Sequence, residues 1–197
     1  MPVSLIPSFL LYCFVGAITP GPANLCSLSA ALRYGRKEAL RQWRGIFAGF
    51  AVVSLVSVLV TWLVGTALSE YVSMLSWVGA AYILWMAFHM LRSSGVEAED
   101  DPARPTFRTG LFVQLTNVKI MVFCLAALSG FVLPYNDSFW ALLAVGLFMP
   151  FTGPMANLVW LFAGASLQKL FSNHRKVVDW VMALALVACA ISLVWPH

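Results

Sequence analysis

Charged side chains are scarce in this sequence. Asp, Glu, Lys and Arg make up 10% of its 197 residues, whereas a soluble globular domain carries about 25%. Hydrophobic residues make up 61%, and the mean hydropathy is +0.85. Such a chain has too few polar side chains to cover a water-facing surface. We therefore expect an integral membrane protein without a separate soluble domain.

The sequence also lacks the signals of a cleavable signal peptide and of a metal site. The first nine residues, MPVSLIPSF, contain no Lys or Arg, so the basic region of a cleavable signal peptide is missing and the first apolar segment is expected to be retained. No Cys-x-x-Cys pair occurs, and the acidic run EAEDD is typical of a solvated loop, so we expect neither a metal nor a cofactor. The cysteines are interpreted as packed thiols: Cys13, Cys26, Cys124 and Cys189.

Long apolar runs are abundant instead. A spanning helix needs about 20 mostly apolar residues, and these runs are too long and too continuous to be barrel strands. We predict an all-α integral membrane protein with six transmembrane helices, forming one transporter domain over residues 1–197. The predicted spans are 5–32, 42–67, 71–91, 111–133, 139–167 and 177–195, with a cytoplasmic loop at 92–110.

Basic residues define the direction of these spans. Loops on one predicted face hold eleven of the twelve Lys and Arg residues, and the other face holds none. The positive-inside rule makes the basic face cytoplasmic, so both termini are expected to face away from the cytoplasm. The net charge of +4 is thereby explained without a nucleic-acid partner. The eleven residues are Arg33, Arg36, Lys37, Arg41, Arg44, Arg92, Arg104, Arg108, Lys169, Arg175 and Lys176.

The first span carries the sequence ITPGPANL, which should interrupt a helix. Proline removes a backbone donor and clashes with the preceding turn, and Pro20, Gly21 and Pro22 follow one another here. The carbonyl groups freed by such a break must face protein or water rather than lipid. Transporters build substrate sites from broken helices, so we interpret the break, with Thr19 and Asn24, as part of a site. A structural kink is the alternative.

Lys119, in QLTNVKIMVF, is the only basic residue deep within a span. Ionisable residues at such depth usually face the bundle interior, although a lysine near the cytoplasmic end of a span can also extend its stem to the surface. Because span one runs inward and span four outward, its break and the Asn117–Lys119 segment should both lie a few ångströms to the cytoplasmic side of the membrane midplane. Span five adds a third polar residue, Asn157.

Three spans in each half reverse the direction of the chain, so the halves could form a 3+3 inverted repeat, which pairs span one with span four. The segments PGPANL and GPMANL also read alike. That likeness instead pairs span one with span five. We interpret it as chance or as convergent use of helix breakers.

These motifs together resemble the LysE/RhtB family of amino-acid exporters. The resemblance covers essentially the whole chain. It includes the family's Pro-Gly-Pro, its glycine-marked stretch, its Gly-x-x-Tyr and its Asn-Pro-Lys, in which Val118 replaces the proline. Span four is therefore expected to break less sharply than is usual in the family. The matching residues are Pro20, Gly21, Pro22, Gly35, Gly45, Gly49, Gly79, Tyr82, Asn117 and Lys119.

The resemblance implies a bacterial inner-membrane exporter of small amino acids. NVKI…ALSGFVLP and LVWLFAGASLQKLF are similar to the cysteine/O-acetylserine branch; homoserine, threonine and leucine remain alternative substrates. Lys119 would bind the substrate carboxylate or, if export is proton-driven, carry the proton. Polar groups at Thr19, Asn24, Asn117 and Asn157 would bind the ammonium.

Other functions and an oligomer remain open at this point. A channel would need more polar residues to line a continuous pore. A membrane-embedded enzyme would need a nucleophile and base, or metal ligands, at one depth, and no histidine has a deep acidic neighbour, so no enzyme is expected. Gly45 and Gly49 could pack helices within the bundle or join two protomers in a homodimer.

Overall fold

A computed structural model of the chain describes residues 1–19, 21–67 and 105–174, together with single residues at 81, 84, 88, 177, 180, 183, 184, 187 and 191. Predicted spans three and six lie almost entirely outside these residues, as do Pro20, Gly79, Tyr82 and most of the predicted loop at 92–110. Over the described part of the chain every regular element is helical, which agrees with the predicted all-α class.

Seven α-helices follow one another in the described segments. They are α1 (Ile6–Ile18), α2 (Pro22–Tyr34), α3 (Arg36–Ala67), α4 (Phe107–Leu115), α5 (Val118–Phe131), α6 (Phe139–Phe148) and α7 (Gly153–Asn173). Short 3₁₀ turns precede α1 at Val3–Leu5 and join α6 to α7 at Met149–Phe151. Two segments, Arg36–Gly65 and Phe139–Gly164, are each long and apolar enough to cross a membrane. The pairs α1–α2 and α4–α5 reach that length only when each is counted as one bent span.

The helices do not begin and end where the predicted spans do. Span two was predicted to begin at 42, but α3 begins at Arg36, directly after Gly35, whose φ of 82° turns the chain. Helical hydrogen bonding thus continues beyond the apolar run into its basic flank. Likewise α4 begins inside the predicted loop 92–110, because the Thr106 and Thr109 side chains each accept a hydrogen bond from the other residue's backbone N–H. Span five bends at Gly164, before its predicted end at 167, and α7 continues to Asn173.

The long helix α3 exposes apolar side chains and buries hydroxyl groups alongside apolar ones. Ser54, Ser57 and Thr61 are buried, whereas Val56 and Leu63 are 52% and 57% exposed. The outward face of a helix in water carries polar side chains instead. This arrangement indicates that the outer face of α3 contacts lipid and that its hydroxyl groups serve contacts within the bundle.

Helices α3 and α4 run parallel and cross almost in backbone contact. A Cβ at Gly45 would lie 1.9 Å from the carbonyl oxygen of Phe107, and a Cβ at Gly110 would lie 2.0 Å from that of Gln42. Only glycine permits such an approach, as at other close crossings in membranes. Of the two uses left open for Gly45 and Gly49, the structure shows packing within the bundle.

Helices α1 and α5 run antiparallel through the core. The rings of Tyr12 and Phe123 stack with centroids 4.7 Å apart, and the Tyr12 hydroxyl donates to the Phe123 carbonyl at 3.0 Å. Phe9 packs against Phe131 nearer the other end of the pair. This contact aligns the two bent spans so that their breaks lie at the same level.

Candidate functional site

The break in span one is formed by Thr19 and Gly21, both with extended backbones, between α1 and α2. The two helices differ in direction by 48°. Asn24 closes the break by donating from Nδ2 to the carbonyl oxygens of Ala17 at 2.9 Å and Thr19 at 3.0 Å. Trp160 of α7 donates from its indole N–H to the Ile18 carbonyl at 3.1 Å. These freed carbonyls therefore face protein, as a break within a membrane requires.

The break in span four occurs without a proline. The directions of α4 and α5 differ by 57°, and Val118 stands where the family pattern has a proline. The Thr116 hydroxyl donates to the Phe112 carbonyl at 2.8 Å, and Asn117 turns to an extended conformation before α5. Ser, Thr and Asn side chains compete with helical hydrogen bonds in this way. The break consequently needs no proline.

Lys119 extends from the first turn of α5 to the break in span one. Its ammonium donates to the Thr19 carbonyl oxygen at 3.1 Å. A Cβ at Gly21 would lie 3.3 Å from the Lys119 Nζ and 3.4 Å from its Cδ, so the glycine leaves room for the lysine stem. Snorkelling would carry the ammonium to the cytoplasmic surface, whereas here it lies between two helices.

Asn157 connects the break in span one to α7 through hydrogen bonds. Its Nδ2 donates to the Ala23 carbonyl at 3.0 Å and to the Asn24 Oδ1 at 2.8 Å. Its Oδ1 accepts from the Ser27 hydroxyl at 2.7 Å. The two asparagines of the similar segments PGPANL and GPMANL therefore contact each other. This buried network fixes α2 against α7.

A small cavity lies among these groups. It has a volume of about 30 Å³ for the centres of water-sized spheres, which is room for about two water molecules. Ile46, Phe50 and Ile120 supply much of its apolar wall. Its polar and helix-breaking lining comprises Gly21, Asn24, Gln114, Asn117, Lys119, Gly153, Pro154 and Asn157.

A cationic side chain and two helix N-termini lie on one side of the cavity. Lys119 is the only charged residue among the lining residues that the structure describes. The N-terminal ends of α2 and α5 open at the same place, and neither Gly21 nor Asn117 caps its helix with a side-chain hydrogen bond. Uncapped helix N-termini carry partial positive charge and exposed N–H donors. Together with the ammonium they make this side of the cavity suited to a carboxylate.

Comparison with known proteins identifies the family of this chain. The model of the LysE type translocator family matches residues 14–195. This chain belongs to the LysE translocator family. The resemblance inferred from the Pro-Gly-Pro and Asn-Val-Lys motifs is thus confirmed. No solved structure matches the chain.

Several curated relatives of this LysE-family member carry the name cysteine/O-acetylserine efflux protein. The protein of that name from Klebsiella pneumoniae subsp. pneumoniae is 34% identical over 194 residues, covering 98% of this chain and 99% of the relative. The one from Salmonella typhi is 33% identical over 189 residues, covering 96% and 97% respectively. The one from Escherichia coli K12 is 32% identical over 194 residues, covering 98% and 99%.

Most site residues predicted for this LysE-family protein converge. Gly21, Asn24, Asn117, Lys119 and Asn157 line the cavity, and Thr19 adjoins it through its carbonyl group. Pro22 is the first residue of α2, and Pro20 lies outside the described residues. Of the described cysteines, Cys13 and Cys124 are buried and Cys26 is half-buried.

Sequence reasoning missed one polar lining residue, Gln114. It is 1% exposed and lies on α4, one helical turn before the break. A carboxamide at that spacing from Asn117 within an apolar run was the available signal.

Proposed function

We propose that this chain is a secondary-active carrier that exports a small amino acid of the cysteine or O-acetylserine class from the cytoplasm across a bacterial inner membrane. Membership of a translocator family and the printed names of its relatives support the transport role and the substrate class. The observation that carries the mechanism is the contact between the Lys119 ammonium and the broken end of α1. It joins the two interrupted spans at a cavity with positive potential.

The carboxylate of the substrate binds on the Lys119 side. The ammonium of Lys119 exchanges its hydrogen bond with the Thr19 carbonyl for a charge-assisted one with the carboxylate. The open N–H groups at the start of α2 and α5 add donors, as at other anion sites on helix N-termini. Thr19, Gly21 and Pro22 thus contribute through backbone geometry.

The ammonium of the substrate binds neutral oxygens. The lining residues that the structure describes include no Asp or Glu, so carbonyl and carboxamide oxygens near the breaks replace an acidic partner. Asn24, Asn117 and Asn157 supply carboxamides there. This absence of acidic residues suits a carrier for zwitterions because Lys119 already balances the carboxylate.

The helices must move during transport. A cavity with room for about two water molecules cannot hold an amino acid, so the walls separate to admit one. The extended residues at the two breaks give hinges at which α1 can move against α2 and α4 against α5. Rocking of broken helices around a central site is how secondary transporters alternate access.

The proposed topology has six spans, both termini outside the cytoplasm and two inverted halves of three spans. The antiparallel contact of α1 with α5 supports opposite directions for spans one and four, as such halves require. The parallel crossing of α3 with α4 brings Arg44 and Arg108 to the same end of the bundle. A homodimer would have to use another surface than Gly45 and Gly49, because α4 covers them.

Proton coupling belongs to the same proposal. Many proton-coupled carriers use a buried carboxylate, and the described lining of this cavity has none. Lys119 is therefore the group that would exchange a proton during the cycle. Its hydrogen bond to Thr19 gives it a partner when the substrate is absent.

Counterflow in proteoliposomes tests the function. Vesicles loaded with unlabelled L-cysteine should accumulate labelled L-cysteine transiently, and O-acetylserine should serve as well inside the vesicles. Homoserine, threonine and leucine, tested in the same panel, should compete more weakly. Flux that follows the gradient without counterflow would instead support a channel, and stronger competition by leucine or threonine would overturn the substrate class.

A further inference from the structure

Gln114 has an unusual position among the polar groups of the bundle. Its side chain is 1% exposed and lines the cavity. Its Oε1 is buried and accepts no hydrogen bond from any residue that the structure describes. A buried acceptor without a partner costs about 1–3 kcal/mol. Such a group in a native structure requires an explanation.

Several other acceptors around the cavity are already engaged. The Thr19 carbonyl accepts from both Lys119 and Asn24. The Asn24 Oδ1 accepts from Asn157, and the Asn157 Oδ1 accepts from Ser27. The Gln114 oxygen, by contrast, need not release a hydrogen bond to a described residue in order to accept one from a donor that enters the cavity.

Gly49 holds the Gln114 stem in place. A Cβ at Gly49 would lie 2.7 Å from the Cβ and 3.3 Å from the Cγ of Gln114. The missing side chain at Gly49 thus provides the space in which the glutamine packs against α3. Since Gln114 is on the last turn of α4, the carboxamide also lies directly at the hinge between α4 and α5.

The chemistry of the cavity indicates which group of the substrate would donate to the Gln114 oxygen. Lys119 and the two helix N-termini suit a carboxylate, so the remaining charged group of an amino acid is the ammonium. We propose that Gln114 accepts a hydrogen bond from the substrate's α-ammonium and thereby requires substrates to carry a free amino group. This inference rests on the proposed function and adds a residue and a selectivity to it.

The test compares two probes that differ only in the amino group. L-cysteine and 3-mercaptopropionate share a carboxylate and a thiol, but the second lacks the ammonium. The half-competing concentration of each is measured against labelled L-cysteine counterflow. The wild type should prefer L-cysteine. Gln114→Met keeps the length of the side chain but has no carboxamide oxygen, so this preference should fall roughly tenfold to a hundredfold.

Two further variants separate binding from folding. Thr61→Val removes another buried hydroxyl oxygen without a partner among the described residues, but Thr61 does not line the cavity, so the preference should stay at the wild-type value. Gln114→Asn keeps the carboxamide and withdraws it by one methylene. It should lower the preference without abolishing it, and it provides the measurement if Gln114→Met does not fold.

The outcomes distinguish a failure of this inference from a failure of the proposed function. Counterflow of L-cysteine with an unchanged preference in both Gln114 variants would overturn the role of Gln114 and leave the exporter intact. Equal weakening of both probes would also overturn it, because that is the result of a structural role. Absence of L-cysteine counterflow in the wild type would instead overturn the proposed function.

Discussion

Lys119 and Thr19 are 100 positions apart in the sequence, yet the ammonium of one lies 3.1 Å from the carbonyl oxygen of the other. The contact links the start of α5 to the residue that ends α1. A helix normally satisfies its own carbonyls, so this acceptor is available only because span one is broken at this residue. The substrate-binding role proposed for Lys119 therefore depends on the break.

Removing the Lys119 charge should weaken substrate binding. Lys119→Met keeps most of the side-chain volume, and loss of a charge-assisted hydrogen bond of about 1.5–3 kcal/mol should lower affinity roughly tenfold or more. Lys119→Arg should restore binding only in part, because the planar guanidinium is larger than an ammonium and differs in shape. Binding of L-cysteine to the purified variants measures both effects. Wild-type affinity in Lys119→Met would exclude carboxylate binding, and loss of the pH dependence of export in that variant would then indicate proton transfer.

Restoring helix continuity in span one should abolish export. Pro20→Ala with Pro22→Ala removes both prolines without deleting a large side chain, so the protein should insert and fold. The bend of 48° between α1 and α2 should decrease, which would draw the Thr19 carbonyl back into helical bonding. Normal insertion with export at the wild-type rate would reduce the Pro-Gly-Pro segment to a structural kink.

Loss of the Asn157 carboxamide should destabilise the bundle and impair export. Asn157→Ala leaves the Ser27 hydroxyl, the Ala23 carbonyl and the Asn24 Oδ1 without their present partner. Each such buried group costs about 1–3 kcal/mol. Thermal unfolding in detergent measures the change. Val159→Ala is the control on the same helix, because Val159 is exposed to the lipid side, and it should have little effect.

The crossing of α3 and α4 should not tolerate a methyl group. In Gly45→Ala the new Cβ would meet the Phe107 backbone oxygen at 1.9 Å, which forces the helices apart. Overpacking of this kind costs about 1–3 kcal/mol. Gly65→Ala is the matched control, since its new Cβ would meet only the movable side chain of Leu133. A melting temperature lowered equally by both substitutions would contradict the close crossing.

The proposed orientation makes opposite predictions for two labelling sites. In a variant without native cysteines, Pro2→Cys should react with an impermeant maleimide from outside intact cells. Lys37→Cys should react only after the membrane is opened, although Lys37 is exposed at the start of α3. Labelling of Lys37→Cys in intact cells would contradict the proposed orientation.

The sequence alone determined the membrane class, the broken first span and the family. These features are encoded in residue order, because hydrophobic length decides whether a segment prefers lipid and Pro-Gly-Pro disrupts any helix that contains it. The same local signals did not show how far α3 and α4 extend beyond the predicted spans. Hydropathy measures the lipid-embedded length, whereas helical hydrogen bonds and the Thr106–Thr109 cap extend into polar flanks.

Only the tertiary structure decided which polar groups meet. The likeness of PGPANL to GPMANL did not show that Asn157 contacts Asn24, and the position of Gln114 in the sequence did not show that it lines the cavity. The break at Thr116 and Asn117 also arises from side chains that compete for backbone hydrogen bonds. Such pairings depend on how far each helix is rotated about its axis and how closely the glycines let neighbouring helices approach.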